Sequence, residues 1–175
     1  TDWAWVHRSA AVAGRALHVV SRRLDPKLFD MNAAGALNGH VPLNAILAAA
    51  GTLLALLCGR PAVIASNEAS ASFGNTVWHG VDVNHQWSKS LEFERLFRGW
   101  LGRQLDGGPE YVSLLRPLSE LRIMKAFATH PGYFDAVTSC NANFKQSAPA
   151  ARRFCLACPK CVFVSLMARP WLDDA

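Results

Sequence analysis

The sequence predicts an α/β fold, with a parallel sheet that carries helices on both faces and a metal-binding cysteine segment late in the chain. Short apolar runs bounded by Gly and Pro alternate with helical segments, as in parallel sheets. The clearest of these runs, Pro61–Ala65, follows Gly59 and has the length and flanks of a buried strand. The chain then turns abruptly polar over Ser66–Glu94, in the position where open α/β sheets bind ligands, beyond the carboxyl end of a strand. The sequence therefore also predicts where the functional site lies.

The other elements are predicted from local composition. An Ala-rich helix over Ser9–Leu17 is expected to lead into a strand at His18–Val20, and Asn38–Pro42 is expected to form a turn. Leu43–Cys58 is apolar on all faces, as expected of a helix packed between a sheet and its neighbours. The later elements are an amphipathic helix over 91–105, a strand over 111–115, a helix from 119 to about 129, a strand over 134–138, a basic loop over 145–154 and a closing helix over 161–167.

Length and composition predict one globular domain over residues 1–175. The hydrophobic fraction of 51%, with 18% charged residues, is typical of a chain that buries a core. Lys and Arg outnumber Asp and Glu by 18 to 13, which suits either an ordinary basic surface or a preference for phosphate-bearing ligands. No run of five basic residues occurs, so a nucleic-acid partner is not indicated.

The termini and the cysteine count bear on the cellular setting. The longest apolar stretch, Leu43–Cys58, is shorter than the ~18 residues of a membrane-spanning helix. The N-terminus lacks the charged-then-apolar pattern of a secretory signal, and the number of cysteines, five, is odd. These features favour a reducing cytoplasm and no membrane partner. Thr1 stands where an initiator Met would, which indicates a processed or truncated chain.

Three cysteines at three-residue intervals predict a metal site. Cys155, Cys158 and Cys161 can reach one ion, and Cys140 is the candidate for the fourth ligand of a tetrahedral zinc site. Buried thiols that pack as small hydrophobic side chains are the alternative, and an iron–sulfur cluster uses similar spacing. Cys58 ends an apolar helix and is assigned to the core. We expect a structural zinc site in segment 140–161 that joins the last strand to the C-terminal helix.

Candidate binding residues concentrate in the polar segment. Glu68 directly follows a strand, where a carboxylate can bind a ligand or a metal, although an exposed loop glutamate fits the same pattern. His85 and Lys89 offer a base and a cation, and the same stretch also suits a helix start capped by Ser88 or Ser90. The residues predicted to bind substrate or nucleotide are Arg22, Asn67, Glu68, Ser70, Asn75, Asn84, Gln86, Ser88, Ser90 and Arg116.

Three further candidates lie at turns and strand ends. His40 follows Asn-Gly and is interpreted either as a catalytic residue or as a hydrogen-bonded turn residue. Arg22 and Arg116 each follow a predicted strand, where a guanidinium can contact phosphate or carboxylate in bidentate geometry.

Several motifs together resemble the family of bacterial UDP-N-acetylmuramoyl-L-alanyl-L-glutamate epimerases. In chain order they are NGHVP at 38–42, SNEASA at 66–71, GN at 74–75, VNHQWSKS at 83–90, SLLRPL at 113–118, SCN at 139–141 and CPKCVF at 158–163. The resemblance extends from about Ser21 to Pro170, which is most of the chain.

This resemblance implies a fold of the PP-loop nucleotide α-hydrolase type, whose members include relatives with a late four-cysteine zinc site. It implies ATP- and Mg²⁺-dependent inversion of the terminal L-glutamate of UDP-MurNAc-L-Ala-L-Glu, with release of AMP and pyrophosphate, in cytoplasmic peptidoglycan precursor synthesis. The Ser-Gly-Gly-x-Asp-Ser pattern of a PP-loop is absent from the chain. We therefore expect the chain to be the C-terminal part of a longer epimerase, inactive until an N-terminal segment supplies that loop.

Side-chain chemistry suggests the role of each residue in the reaction that the resemblance implies. Adenylation of the α-carboxylate removes its negative charge, so that a protein base can take the α-proton. His85 and Lys89 are assigned to proton transfer or enolate stabilisation, with His40 next, and Glu68 to magnesium or the ribose. Two other functions remain open: another PP-loop-type enzyme that modifies nucleobases or tRNA, and a non-catalytic, zinc-stabilised binding module.

Overall fold

The computed structural model describes residues 3–36, 43–144 and 152–172. The predicted turn at 38–42, with His40, and residues 145–151 of the predicted basic loop lie outside these ranges. The described helices are α1 (Trp3–Val12), α2 (Lys27–Ala33), α3 (Leu43–Leu57), α4 (Leu91–Gln104), α5 (Glu120–Ala128) and α6 (Pro159–Ala168). The described strands are β1 (Ala62–Ala65), β2 (Thr76–Trp78), β3 (Val81–Val83) and β4 (Glu110–Ser113). Short 3-10 turns span Ala69–Ser72, Trp87–Lys89, Pro131–Tyr133 and Asn141–Phe144.

The strands form two small sheets. β1 and β4 pair in parallel, with Val63 opposite Tyr111 and Ala65 opposite Ser113, which confirms a parallel α/β arrangement. β2 and β3 form an antiparallel hairpin that the sequence did not predict. Its two-residue turn is His79-Gly80, with φ angles of 48° and 78°, and two positive φ values fit the twist of a tight hairpin.

The chain divides into two compact units, Val20–Ser119 and Thr1–Val19 with Glu120–Ala175. The unit Val20–Ser119 contains both sheets, and its core is built on one face of the parallel pair. Ala48 of α3 and Phe93 and Leu101 of α4 pack with Tyr111 there. On the opposite face Ile64 is 62% exposed. The prediction of helices on both faces is therefore wrong for the described chain, because α3 and α4 share a face.

Helix α4 begins where its sequence predicts. The Ser90 hydroxyl accepts a hydrogen bond from the Phe93 backbone N–H at 3.1 Å, which satisfies a donor that the helix itself leaves unpaired. Glu92 and Glu94 in the first turn suit the positive end of the helix dipole. Helix α3 buries only one face, through Ala48, Thr52 and Ala55, although its sequence is apolar all round. Among the described helices, none combines the length and the apolar character needed to cross a bilayer.

In the other unit, α5 packs against α6, and α1 contacts the turn Pro131–Tyr133. The strands predicted at His18–Val20 and Phe134–Thr138 are wrong. Val20 is 60% exposed, and residues 15–25 adopt neither helix nor strand. The N–H of Phe134 instead bonds the Pro131 carbonyl at 3.0 Å, so that the donor a strand would need is used in a local turn. The first helix also begins earlier than predicted, at Trp3, and ends at Val12.

Candidate functional site

The carboxyl ends of β1 and β4 meet at one edge of the parallel sheet, and polar loops follow both strands. The Asn67 amide, two residues beyond β1, donates to the hydroxyl of Ser113, the last residue of β4, at 3.0 Å. The Ala69 N–H donates to the Leu118 carbonyl at 3.1 Å, which joins the same two loops a few residues further on. The structure thus places Asn67 and Glu68 at the sheet edge, where the sequence predicted a site.

Arg116 lies at the centre of this edge, in the turn after β4. One of its terminal nitrogens donates to the Glu68 carbonyl at 3.0 Å, and the other donates to the Lys89 carbonyl at 2.7 Å. The second nitrogen also contacts the Glu94 carboxylate at 3.1 Å. Longer contacts of 3.4 Å reach the hydroxyls of Ser72 and Ser113. We call this group the Arg116 cluster: Asn67, Glu68, Ser72, Lys89, Glu94, Ser113 and Arg116.

The Glu94–Arg116 ion pair is almost removed from water. Exposed fractions of the side chains are 13% for Arg116 and 6% for Glu94. The second carboxylate oxygen of Glu94 accepts the Ser113 N–H at 3.3 Å. A buried carboxylate requires such partners, because neither water nor a distant charge compensates it.

Tyr111 borders the same cluster from β4. Burial raises the pKa of its phenol above the usual value, and the Glu94 carboxylate acts in the same direction. The hydrogen bond with Asn67 and the charge of Arg116 act against this shift in the pKa of Tyr111 without cancelling it. Tyr111 therefore stays protonated over the ordinary range of pH and belongs to the core.

The segment 75–90 folds into a second group of polar contacts. The Asn84 amide donates to the Ala71 carbonyl at 2.9 Å, and the Asn75 side chain accepts the His85 N–H at 3.1 Å. The Gln86 amide nitrogen lies 3.2 Å from Nε2 of His85. His85 and Gln86 are exposed, so the predicted base lies at the surface of this loop, held by two asparagines.

The remaining predicted residues differ in burial and position. Ser88 and Ser90 are buried at 7% and 3% exposure, and Ser90 caps α4, as one of the two interpretations of this stretch predicts. Ser70 lies half-buried in the turn after β1. Arg22 is exposed in the irregular segment 15–25, and within the described residues no hydrogen bond or ion pair joins it to the Arg116 cluster. His40 lies outside the described residues.

Sequence reasoning missed Glu94 and Ser113. The signal for Glu94 was available, since it precedes Phe97 and Leu101 by three and seven residues and so shares their buried helix face. An acidic residue on an apolar stripe calls for a buried partner. A cavity of about 190 Å³ at the other end of β4, lined by Arg98, Leu105 and their neighbours, is smaller than ordinary ligand pockets.

The four cysteines of segment 140–161 come together as predicted. Their sulfur atoms all lie within 4.8 Å of one another, and Cys140 and Cys161 are buried. Sγ of Cys161 lies 3.4 Å from that of Cys158 and 3.8 Å from that of Cys155. Tetrahedral zinc with bonds of about 2.3 Å separates its ligand sulfurs by about 3.8 Å, so the spacing fits a four-coordinate ion. These four thiols could hold a metal ion.

The chain folds tightly around these thiols. Leu156 adopts a positive φ of 59°, a conformation that a leucine rarely takes, and this turns the backbone so that the Cys158 N–H donates to Cys155 Sγ at 3.3 Å. Pro159 then starts α6, which carries Cys161 in its first turn. The cluster joins α6 to the irregular segment that ends at Cys140, instead of to the strand the sequence predicted.

Backbone donors adjust the acidity of the thiols. Hydrogen bonds from the N–H groups of Cys161 and Asn141 lower the pKa of Cys158 to about 6. Burial raises the pKa of Cys161 to about 11, with the Cys158 thiol acting in the same direction. Burial also opposes ionisation of Cys140, but backbone hydrogen bonds outweigh it and lower the pKa of that thiol. Nearby N–H donors favour thiolate, the form that binds metals.

A buried asparagine supports the Cys140 loop. Asn143 is 1% exposed, and its amide nitrogen donates to the Thr138 hydroxyl at 2.7 Å and the Arg153 carbonyl at 2.9 Å. The Thr138 hydroxyl accepts the Cys140 N–H at 3.2 Å. Asn143 therefore ties the loop that carries one thiol to the segment that leads to the other three.

The fold and the two sites define a mixed α/β protein with polar loops at the carboxyl edge of a small parallel sheet and a candidate metal site. Residues 3–114 match the MurL N-terminal domain, and residues 136–175 match the MurL C-terminal domain. The chain belongs to the MurL family, which confirms the resemblance found in the sequence motifs.

Three relatives cover most of the chain, and each is named UDP-N-acetyl-alpha-D-muramoyl-L-alanyl-L-glutamate epimerase. The protein of Salinispora tropica is 51% identical over 86% of this chain and 33% of its own length. That of a Micromonospora strain is 48% identical over 91% of this chain and 36% of its own length. That of Xanthomonas oryzae pv. oryzae is 43% identical over 87% of this chain and 34% of its own length. The chain thus spans about a third of the length of these curated relatives, and no solved structure matches it.

Proposed function

We propose that this chain takes part in the epimerisation of the terminal L-glutamate of UDP-MurNAc-L-Ala-L-Glu, in the synthesis of peptidoglycan precursors in the cytoplasm. The observation that carries the proposal is the identity of 43% to 51% with three proteins of that name over most of the chain. The polar loops at the sheet edge support it, because they offer a base, a cation and hydrogen-bonding amides in one place.

The proposed reaction uses ATP and Mg²⁺. Transfer of an adenylyl group to the α-carboxylate would remove its charge and so make the α-proton acidic enough for a side chain to take. Arg116 fits poorly as a phosphate ligand, since its guanidinium already donates to the Glu68 and Lys89 carbonyls and to Glu94. Arg22, which is exposed, stays a proposed phosphate ligand. Because the chain lacks the Ser-Gly-Gly-x-Asp-Ser pattern, we assign the main phosphate-binding loop to another segment, and no PP-loop fold is assigned to this chain alone.

This chain's own contribution is the proton transfer. His85 is the proposed group that takes or returns the α-proton, and its exposure on the loop beside Gln86 supports this role. Lys89, half-buried four residues further along the chain, is the proposed cation that stabilises the enolate formed when the proton leaves. Glu68 is the proposed ligand for magnesium or the ribose. Asn67, Ser70, Asn75, Asn84, Gln86, Ser88 and Ser90 are proposed to shape the substrate site, several of them through the loop contacts described above.

A structural Zn²⁺ in the cysteine cluster is the second part of the proposal. The fit of the sulfur spacing to a tetrahedral ion supports it. Bound to the four thiolates, zinc would stabilise the fold around α6 and take no part in proton transfer.

Proton exchange in deuterated water tests the proposal. The chain is incubated with ATP, Mg²⁺ and UDP-MurNAc-L-Ala-L-Glu, alone and together with the rest of the Salinispora tropica relative supplied as a second polypeptide. We expect deuterium at the glutamate α-carbon and D-glutamate in the product. Dependence on the second polypeptide would show that the site is shared.

Two variants make the test specific. His85→Gln should lose most of the exchange, whereas His79→Asn, on the nearby hairpin turn where Asn tolerates the positive φ, should retain it. Folded, zinc-loaded protein that shows no exchange under either condition would overturn the epimerase proposal and favour a module that only binds.

A further inference from the structure

We propose that the buried Glu94–Arg116 pair holds together two loops of the candidate site, the loop that follows β1 and the loop that precedes α4. Arg116 acts through these two loops without binding an anion itself. Sequence position alone predicted Arg116 as a ligand of phosphate or carboxylate. Its contacts are directed elsewhere: the two terminal nitrogens donate to the Glu68 carbonyl and to the Lys89 carbonyl.

The two carbonyls belong to different loops. Glu68 precedes the turn Ala69–Ser72 after β1, and Lys89 ends the turn Trp87–Lys89 before α4. Apart from Arg116, the two loops are joined by the Ser72 hydroxyl, which accepts the Leu91 N–H at 3.1 Å, and by the bond from Asn84 to Ala71. Arg116 therefore fixes the main chain at Glu68 and Lys89, two residues with proposed roles at the site.

Glu94 sets the orientation of Arg116. It lies on the first turns of α4, contacts the guanidinium at 3.1 Å and accepts the Ser113 N–H with its other oxygen. Because both side chains are largely removed from water, loss of either charge leaves the other without a partner. A planar guanidinium can donate in two directions at once, whereas a lysine ammonium is a compact point charge. Arg116→Lys is therefore expected to keep the ion pair but to lose one of the carbonyl contacts.

An exposed ion pair between α4 and β4 provides a matched control. Arg98 of α4 contacts Glu110 of β4 at 2.8 Å, with side-chain exposures of 48% and 64%. This pair also links α4 to β4, but it lies at the other end of the strand and contacts none of the Arg116 cluster. Glu110→Gln removes a surface charge pair and leaves the site loops unchanged.

Amide hydrogen exchange tests the positioning role without any ligand. In Glu94→Gln and Arg116→Lys we expect the protection of amides in 66–72 and 87–91 to fall at least about tenfold, with α5 and α6 unchanged. Glu110→Gln should change the same amides less than about twofold. In the double variant the loss of amide protection should not exceed that of the more affected single variant, because both substitutions break the same ion pair. Unchanged loop protection in folded Glu94→Gln protein, or additive losses, would overturn the proposal.

Binding of UDP-MurNAc-L-Ala-L-Glu separates positioning from direct contact, and this arm rests on the proposed function. If Arg116 positions the loops, Glu94→Gln should weaken binding about as much as Arg116→Lys, by roughly tenfold. The proposal would be overturned if Arg116→Lys binds the substrate more weakly while Glu94→Gln binds it as well as or more tightly than the unaltered protein. That result would show that Arg116 contacts the ligand. If the unaltered protein binds no substrate either alone or with the second polypeptide, the proposed function fails while hydrogen exchange still decides the positioning role.

Discussion

Removal of the proposed zinc ion from the cysteine cluster is the perturbation with the most definite outcome. The chain has five cysteines, and four of them have sulfur atoms within 4.8 Å of one another. The fifth, Cys58, follows α3 and lies outside the cluster. One bound ion should therefore protect four thiols, and a thiol reagent should find about one reactive group before chelation and all five after chelation and unfolding.

The size of the stability change follows from mass action. With free zinc at a hundred times its dissociation constant, binding to the folded state alone stabilises it by about 2.7 kcal/mol. For a chain of this length that corresponds to roughly 5–11 °C in its melting temperature. Sulfur separations of 3.4 and 3.8 Å already approach the tetrahedral value, so the site needs little rearrangement to bind the ion.

The assay combines elemental analysis, thiol titration and thermal unfolding on three proteins. Unaltered protein and Cys58→Ser should each bind one equivalent of zinc, while Cys140→Ser should bind less and melt lower. A content of less than about half an equivalent of zinc, with no iron, would refute the structural zinc site. A count of five reactive thiols before chelation would refute it as well. If elemental analysis finds iron and inorganic sulfide, the four cysteines do bind a metal centre, but that centre is an iron–sulfur cluster and not zinc.

Three further predictions concern the sheet edge and the core. Ser90→Ala should lower the free energy of unfolding by about 1 kcal/mol, because the Phe93 N–H loses its cap, as denaturant titration can measure. Phe93→Ala should lower the free energy of unfolding by about 3–5 kcal/mol, because the centre of its ring lies 5.6 Å from that of Phe97 in the core. Leu96→Ala on the same helix should lower it by less than about 1 kcal/mol, because Leu96 is 57% exposed. The raised pKa of Tyr111 predicts a contribution to stability that is present below pH ~10 and is lost as pH rises through the folded-state pKa, because only the unfolded phenol ionises readily. A Tyr111→Phe variant that loses as much stability at alkaline pH as the unaltered protein would contradict this prediction.

The sequence by itself determined the features that depend on neighbouring residues. Strand β1 and helices α3, α4 and α6 lie where composition and periodicity predict them, and the Ser90 cap is a local bond three residues long. The cysteine spacing predicted the cluster for the same reason, because a tight turn at Leu156 brings Cys155 and Cys158 together within one segment. The family motifs added what physical patterns cannot supply, the family to which the chain belongs.

The tertiary structure alone decided the features that depend on partners distant in sequence. His18–Val20 and Phe134–Thr138 have strand-like composition, but a strand forms only when another strand completes its hydrogen bonds. Arg116 shows the same limit at the site. Its contacts with Glu94 and with carbonyls 27 and 48 residues away come from the fold, and its position after a strand predicts none of them. A charge is satisfied by whichever groups the folded chain brings within reach, and short-range patterns do not specify those groups.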